Sequence, residues 1–254
     1  HELREALGLL EIVHRPPQRV EQVDGLERVG QLSIATTHTQ ARYVLPEPVT
    51  LLRRRYPKVA VTLHQGTPEQ VAHMLLEERA EIGLATESLA NFDELVTLPC
   101  YTWQHVMVVP ASHPLAAVER PTLEQLAAQP LVSYHPSFTG RTRIDAAFAR
   151  ARLKPEIVLE AIDSDVIKTY VRSGLGVGIV AEMATRDDPV GGDLVARPVG
   201  HLFGDNVARV AFKRGAYLRS FVITFAELLS ERLTRALILK AMTGNSLAAD
   251  DPAL

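Results

Sequence analysis

Thr36-Thr37-His38-Thr39-Gln40 sets three hydroxyls and an amide side by side, where an apolar strand pattern stops and a helical pattern begins. Backbone N–H groups at a helix start have no acceptors of their own and point along the helix dipole. With the neutral O–H and N–H donors beside them, they form an anion site that needs no Lys or Arg. N-capping of the helix would use one such hydroxyl, not three and an amide. Ser137-Phe138-Thr139-Gly140-Arg141 repeats the arrangement between another strand and another helix start. Thr86, in Gly83-Leu84-Ala85-Thr86-Glu87, ends a third apolar strand with a hydroxyl. Taken alone, each of these is equally a cap, a turn or a strand end. Together they occupy the ends from which an α/β sheet presents its ligands.

Other candidates are weaker in chemistry. Trp103, the single tryptophan, falls between two strand patterns and serves either as packing or as a cleft wall donating its indole N–H. Gly174-Leu175-Gly176-Val177-Gly178 looks like a dinucleotide loop, but a helical pattern precedes it and a strand follows, the reverse of the fingerprint. These glycines are read as ending a helix and letting backbones approach. No Gly-x-Ser-x-Gly elbow, P-loop or His-Glu-x-x-His occurs, so no catalytic residue is assigned and the chain is expected not to be an enzyme. The nine histidines lack metal-ligand spacing, and one cysteine, Cys100, builds neither a disulfide nor a thiolate zinc site. No metal and no cofactor are expected. Arg53-Arg54-Arg55 is a solvated helix face.

The elements that must position these groups alternate in type. Strands are expected at 31–36, 59–65 and 81–86, with a helix running to Tyr56-Pro57 and a second from Thr67-Pro68 to about Arg79. This order predicts a parallel sheet covered by helices. The grammar repeats with strands at 94–102, 104–110, 130–135, 156–161 and 176–181, and helices over 122–128, from Thr139, and from Asp163 to Ser173. Strands at 193–199 and 206–213 and one long helix over 217–242 complete the pattern. The fold class is therefore α/β: two Rossmann-like subdomains joined by two crossover strands, with the ligand between them. The crossings are placed near Tyr101–Gln104 and Gly200–Phe203. The expected division is a linker helix and connection over 1–28, a first lobe of 29–102 plus 203–242, a second lobe of 103–202, and a frayed tail over 243–254.

With 254 residues and 46% hydrophobic content, one large domain or two smaller ones can each bury a core. Lys+Arg 27 against Asp+Glu 30 leaves a net charge of −3, which excludes a strongly basic nucleic-acid-wrapping surface. No apolar run reaches the roughly 20 residues of a membrane span, and the first residues lack a signal-peptide layout, so a cytoplasmic protein without membrane contact is expected.

Several of these runs resemble one family. Thr36-Thr37-His38-Thr39-Gln40-Ala41-Arg42-Tyr43, Gln65-Gly66-Thr67-Pro68, Leu98-Pro99-Cys100-Tyr101-Thr102-Trp103, Phe138-Thr139-Gly140-Arg141 and Asp165-Val166-Ile167-Lys168-Thr169-Tyr170-Val171 resemble the CysB-like branch of the LysR-type transcriptional regulators. The likeness runs from about Gly30 to Leu237. It implies a periplasmic-binding-protein-like (type 2) effector domain controlling sulfur assimilation or cysteine biosynthesis. Sulfate or an anionic effector such as O-acetylserine, N-acetylserine or thiosulfate would occupy its cleft. By motif position it implies Thr37, Thr39, Gln40, Thr86, Trp103 and Thr139 as ligand residues, with Thr36, His38 and Arg141 as further candidates. It also implies a homodimer or homotetramer, with DNA read only through an N-terminal winged helix-turn-helix that these residues do not contain. Leu45-Pro46-Glu47-Pro48 departs from the adjacent prolines usual there and is expected to alter the first helix. A solute-binding protein for a small oxyanion is the alternative of the same architecture.

Overall fold

The computed structural model describes residues 29–188 and 191–244. The linker helix expected over 1–28, and the tail from 245 onward, lie outside the described residues. The first run is β1 (Val29–Thr36), α1 (His38–Tyr43), α2 (Pro46–Arg55), β2 (Lys58–Gln65), α3 (Pro68–Leu76), β3 (Ile82–Thr86) and β4 (Leu95–Trp103). After Gln104 come β5 (His105–Pro110), α4 (Leu123–Ala127), β6 (Pro130–Tyr134), α5 (Thr139–Arg150), β7 (Glu156–Ala161), α6 (Ser164–Arg172), β8 (Val177–Ala181), β9 (Leu194–Pro198) and α7 (Gly200–Phe203). β10 (Asn206–Lys213), α8 (Ser220–Leu229) and α9 (Arg235–Met242) return to the first lobe.

Two five-stranded sheets result, ordered β2-β1-β3-β10-β4 and β7-β6-β8-β5-β9. The first three strands pair in parallel, as their βαβαβ order predicts, and each sheet also holds antiparallel strands. β1 pairs in parallel with β2 and β3, but β10 is antiparallel to β3 and β4, and β5 is antiparallel to β8 and β9. β5 and β10, which bring the chain into a lobe from the crossing, enter the sheet at the end where the βα strands finish and so run against them, whereas β4 and β9, which leave for the other lobe, run with them. The residues expected as the second crossing, Gly200–Phe203, form one helical turn, and the chain passes between sheets at Gly204 and Asp205. There the Gln104 side-chain amide donates to Asp205 Oδ1 at 2.7 Å, tying one crossing to the other.

Each sheet is covered on both faces. Leu32, Ile34, Val210 and Phe212 pack against Leu52 of α2 and Phe221, Val222 and Phe225 of α8. Ala35, Ala85 and Ala211 face Val71 and Leu75 of α3. In the second lobe Ile144 and Phe148 of α5 cover one face, and Ile167 and Val171 of α6 the other.

Three helix boundaries differ from the sequence pattern. The helix expected to reach Tyr56 is two helices, because α2 begins anew at Pro46. A proline in the first turn costs no helical hydrogen bond, so Pro46-Glu47-Pro48 opens a helix here. α3 stops at Leu76, before a left-handed Glu78 at φ 59°. The long final helix is broken at Ser230, which is extended, and restarts where Thr234 accepts from the Leu237 N–H. The glycine run behaves as read: Gly174 takes φ 79° just past α6, and a Cβ on Gly176 would collide with the Pro130 carbonyl.

Candidate functional site

Parallel pairing of Thr36 with Leu84 brings the ends of β1 and β3 to one edge, which puts Thr37 and Thr86 together. Thr37 is the N-cap of α1 and has extended backbone (φ −81°, ψ 162°), yet its hydroxyl makes no capping bond. Elsewhere the same residue type does cap. Thr67, Thr122 and Thr234 each accept from the N–H three residues on. α5 likewise begins without a side-chain cap, since Phe138 holds that position. Hydroxyls at the cleft are thus free of the local duty that hydroxyls elsewhere perform.

Between the sheets lies a cavity of about 30 Å³. Thr37, Thr39, Gln40, Thr86 and Trp103 line it from the first lobe, and Tyr134, Phe138, Gly140, Ala181 and Met183 from the second. One water needs about 10–15 Å³ on a comparable measure, so the space suits a small oxyanion rather than a drug-sized molecule. No Lys or Arg is among the lining residues. The indole Nε1 of Trp103 and Oε1 of Gln40 are buried and have no hydrogen-bond partner among the described residues. Burying such groups unpaired is costly, and the Trp103 N–H, a donor, is the one that an anion could satisfy.

Hydroxyl pairs bridge the lobes around this space. Thr86 Oγ1 lies 2.6 Å from Thr139 Oγ1, and Ser88 Oγ lies 3.3 Å from the former and 3.2 Å from the latter. Thr39 Oγ1 is 3.1 Å from Ser164 Oγ at the start of α6, and Ser164 is 2.6 Å from the Tyr134 hydroxyl. Ion pairs close both rims. On one side Asp165 takes a hydrogen bond from Tyr43 at 2.6 Å and meets Arg42 at 2.6 Å and Lys168 at 3.4 Å. On the other, Arg143 of α5 grips Glu87 Oε1 at 2.5 and 2.9 Å.

Behind the cavity His105, the first residue of β5, is fully buried against the rings of Trp103 and Phe203. Burial, with Arg143 adding to it, pushes its pKa down to about 3. A Cβ on Gly140 would stand 2.9 Å from its Nε2, so only glycine lets α5 approach the crossing this closely.

Five of the residues expected from sequence, Thr37, Thr39, Gln40, Thr86 and Trp103, line the cavity, and Thr139 joins through Thr86. The other three do not line it. Thr36 donates to the Leu84 carbonyl at 3.0 Å inside the sheet. His38 is half-buried outside the cavity lining. Arg141 spends its guanidinium on the Tyr134 carbonyl, Asp145 and Glu160. Tyr134, Ser88 and Ser164 were not among the expected residues, although the rule that found Thr86, a polar residue ending a strand or opening a helix, also fits Tyr134 and Ser164.

Two α/β lobes on crossing strands, meeting at a cavity lined by uncharged polar and apolar side chains, define a two-lobe ligand-binding domain of the type 2 periplasmic-binding-protein-like kind. Residues 26–234 match the family model described as "LysR substrate binding domain", and the chain belongs to that family as an effector-binding domain of LysR-type regulators. It is 50% identical over 236 residues to the HTH-type transcriptional regulator CysB of Burkholderia cenocepacia, covering 89% of this chain and 75% of that protein. To the regulator SsuR of the same organism it is 46% identical over 207 residues, covering 82% of this chain and 67% of that protein. The crystal structure of the cofactor-binding domain of the Cbl transcriptional regulator superposes with a TM-score of 0.80 at 43% identity, covering 88% of this chain and 98% of that one. These relatives are named as transcriptional regulators, which does not favour the transport alternative. Among the described residues no helix is long and apolar enough to cross a membrane, and no cluster of His, Cys, Asp or Glu is arranged to hold a metal.

Proposed function

We propose that the cavity binds a small oxyanion, sulfate or thiosulfate being the best fit in size, and that the chain is the effector-sensing part of a regulator of sulfur assimilation. O-acetylserine and N-acetylserine are larger than the closed cavity and would enter by parting the lobes. The observation that carries the reading is that Trp103, whose buried Nε1 has no partner among the described residues, lines the same cavity as Thr37, whose hydroxyl makes no capping bond. Neutral donors suit a sulfate-like ion because they satisfy its oxygens without the desolvation cost of a buried cation. The relatives' names point the same way, since CysB, SsuR and Cbl are all regulators.

Binding would bias the lobes toward the arrangement that the ligand contacts best, because an effector shifts an equilibrium only through its difference in affinity for the two states. In the intact regulator that bias passes through contacts between copies of the chain, a homodimer or homotetramer, to the part that reads DNA. Calorimetric titration in chloride buffer tests the reading, with sulfate, thiosulfate, O-acetylserine and N-acetylserine as ligands and phosphate as control. Saturable binding of one of the four with phosphate excluded supports it. Binding of none, or of phosphate alone, sinks it.

A further inference from the structure

We propose that Ser164, with Tyr134 behind it, is a positioning residue that turns the Thr39 hydroxyl hydrogen into the cavity, so that the ligand atom beside Thr39 must be a hydrogen-bond acceptor. The inference rests on the oxyanion reading above and names what fixes the polarity of that site.

The direction of the chain follows from its far end. The backbone N–H of Ala181 can only donate, and it donates to the Tyr134 hydroxyl oxygen at 2.9 Å. Tyr134, Ser164 and Thr39 then share two contacts, at 2.6 and 3.1 Å, between three hydroxyl groups. Thr39 also lies close enough to act on the Tyr134 hydroxyl, but that oxygen already accepts from Ala181, so three hydrogens and two short contacts leave one hydrogen over. A phenol is the strongest donor of the three and, with its oxygen already accepting from Ala181, the poorest further acceptor. Tyr134 therefore donates to Ser164, and Ser164 donates to Thr39. The surplus hydrogen is Thr39's.

Burial keeps this order intact. Ser164 is 1% exposed and Tyr134 4%, so bulk water does not compete for either hydroxyl. Thr39 lines the cavity, so its hydrogen is offered there. Successive bonds in one direction also polarise one another, which strengthens the terminal donor. Thr39 belongs to α1 of the first lobe, whereas Ser164, Tyr134 and Ala181 belong to the second. The donor is consequently set only while the lobes are together, and an acceptor on the ligand rewards closure.

The test is a double-mutant cycle on the full chain, titrated calorimetrically with sulfate in chloride buffer. Ser164→Ala is expected to weaken sulfate binding about tenfold, as loss of support for a hydrogen bond to a charged group should. Tyr134→Phe, which keeps the ring, is expected to do the same. In a Thr39→Val background, Ser164→Ala is expected to change affinity less than twofold, because no hydroxyl remains to be oriented. Wild-type affinity in Ser164→Ala, or an equal loss in both backgrounds, would overturn the positioning role while leaving the oxyanion reading in place. Failure of the unmodified chain to bind sulfate, thiosulfate or an acetylserine, or its binding of phosphate alone, overturns that reading, and this inference with it.

Discussion

Thr86 and Thr139 hold their hydroxyl oxygens 2.6 Å apart, although one ends a strand of the first sheet and the other opens a helix of the second lobe. Only one hydrogen can lie between them. An anion that drew hydrogens from both would have to dissolve this bond, with Ser88, near both hydroxyls, left to donate to one of them. Under the proposed oxyanion reading, ligand entry would be felt directly at this contact between lobes.

The hydroxyls at helix starts divide into two kinds, and substitution should separate them. Thr37→Ala and Thr139→Ala are each expected to weaken sulfate binding by about 1.5–3 kcal/mol, with the thermal midpoint little changed. Thr67→Ala loses a capping box and should cost about 1 kcal/mol of stability while leaving affinity alone. Calorimetry and thermal melts on the three variants check the contrast. Unchanged affinity in both Thr37→Ala and Thr139→Ala would discard the cleft assignment.

Gly140→Ala should disturb the site without touching a ligand. Its Cβ would press on His105 Nε2 at 2.9 Å and on Trp103 Cη2 at 3.4 Å, and both rings are buried. Overpacking of this kind costs about 1–3 kcal/mol, and it displaces the start of α5 with Thr139. Denaturant unfolding should show the loss, together with weaker sulfate binding. A variant as stable as the parent would mean that the crossing gives way easily.

Asp165 holds three groups at one rim, two of them, Arg42 and Tyr43, from the facing lobe. Asp165→Asn removes the charge but not the bulk, and Lys168 keeps Asp188 at 3.0 Å. The expected result is a wider distribution of lobe separations in small-angle scattering and a several-fold loss of sulfate affinity, while secondary structure persists. An unchanged scattering profile with unchanged affinity would show that the rim pair does not hold the lobes.

His105 makes stability depend on pH in a definite direction. Burial lowers its folded pKa to about 3, whereas an unfolded histidine titrates near 6.5. Below about pH 6.5 the unfolded chain takes up a proton that the folded chain refuses, so stability is full above that pH and falls as pH drops toward 3. The slope from this one residue approaches about 1.4 kcal/mol per pH unit. Urea unfolding of the parent and of His105→Gln at pH 7.5, 6.5 and 5.5 measures it: the difference between the two should shrink as the pH falls. Parallel profiles would exclude His105 as the source.

Much of this architecture was legible along the chain because its causes are local. Short apolar runs ending in hydroxyls, Pro68 after Thr67, and glycines closing a helix act within a few residues, and the structure places strands and helices there. The prolines at Pro46-Glu47-Pro48 signalled the change in the first helix, whereas the break at Ser230 left no such local mark. An apolar stripe continues across Ser230, and periodicity does not register a change in axis when both helices bury the same face against one core.

Residue types and spacing thus specified the alternation of elements and a set of polar residues at strand ends, and the resemblance of whole motifs pointed to the family. Folding specified which of those residues share a space. Thr36 and Thr37 are neighbours in sequence, but the pleat turns Thr36 into the sheet and leaves Thr37 at its edge. Arg141 lies two residues from Thr139, yet one helical step swings it onto Asp145 and Glu160. Ser164 and Thr39, 125 positions apart, meet because two crossing strands fold the second lobe over the first. Contacts at such separations depend on sheet twist, crossing geometry and helix direction together, and no local pattern carries that sum.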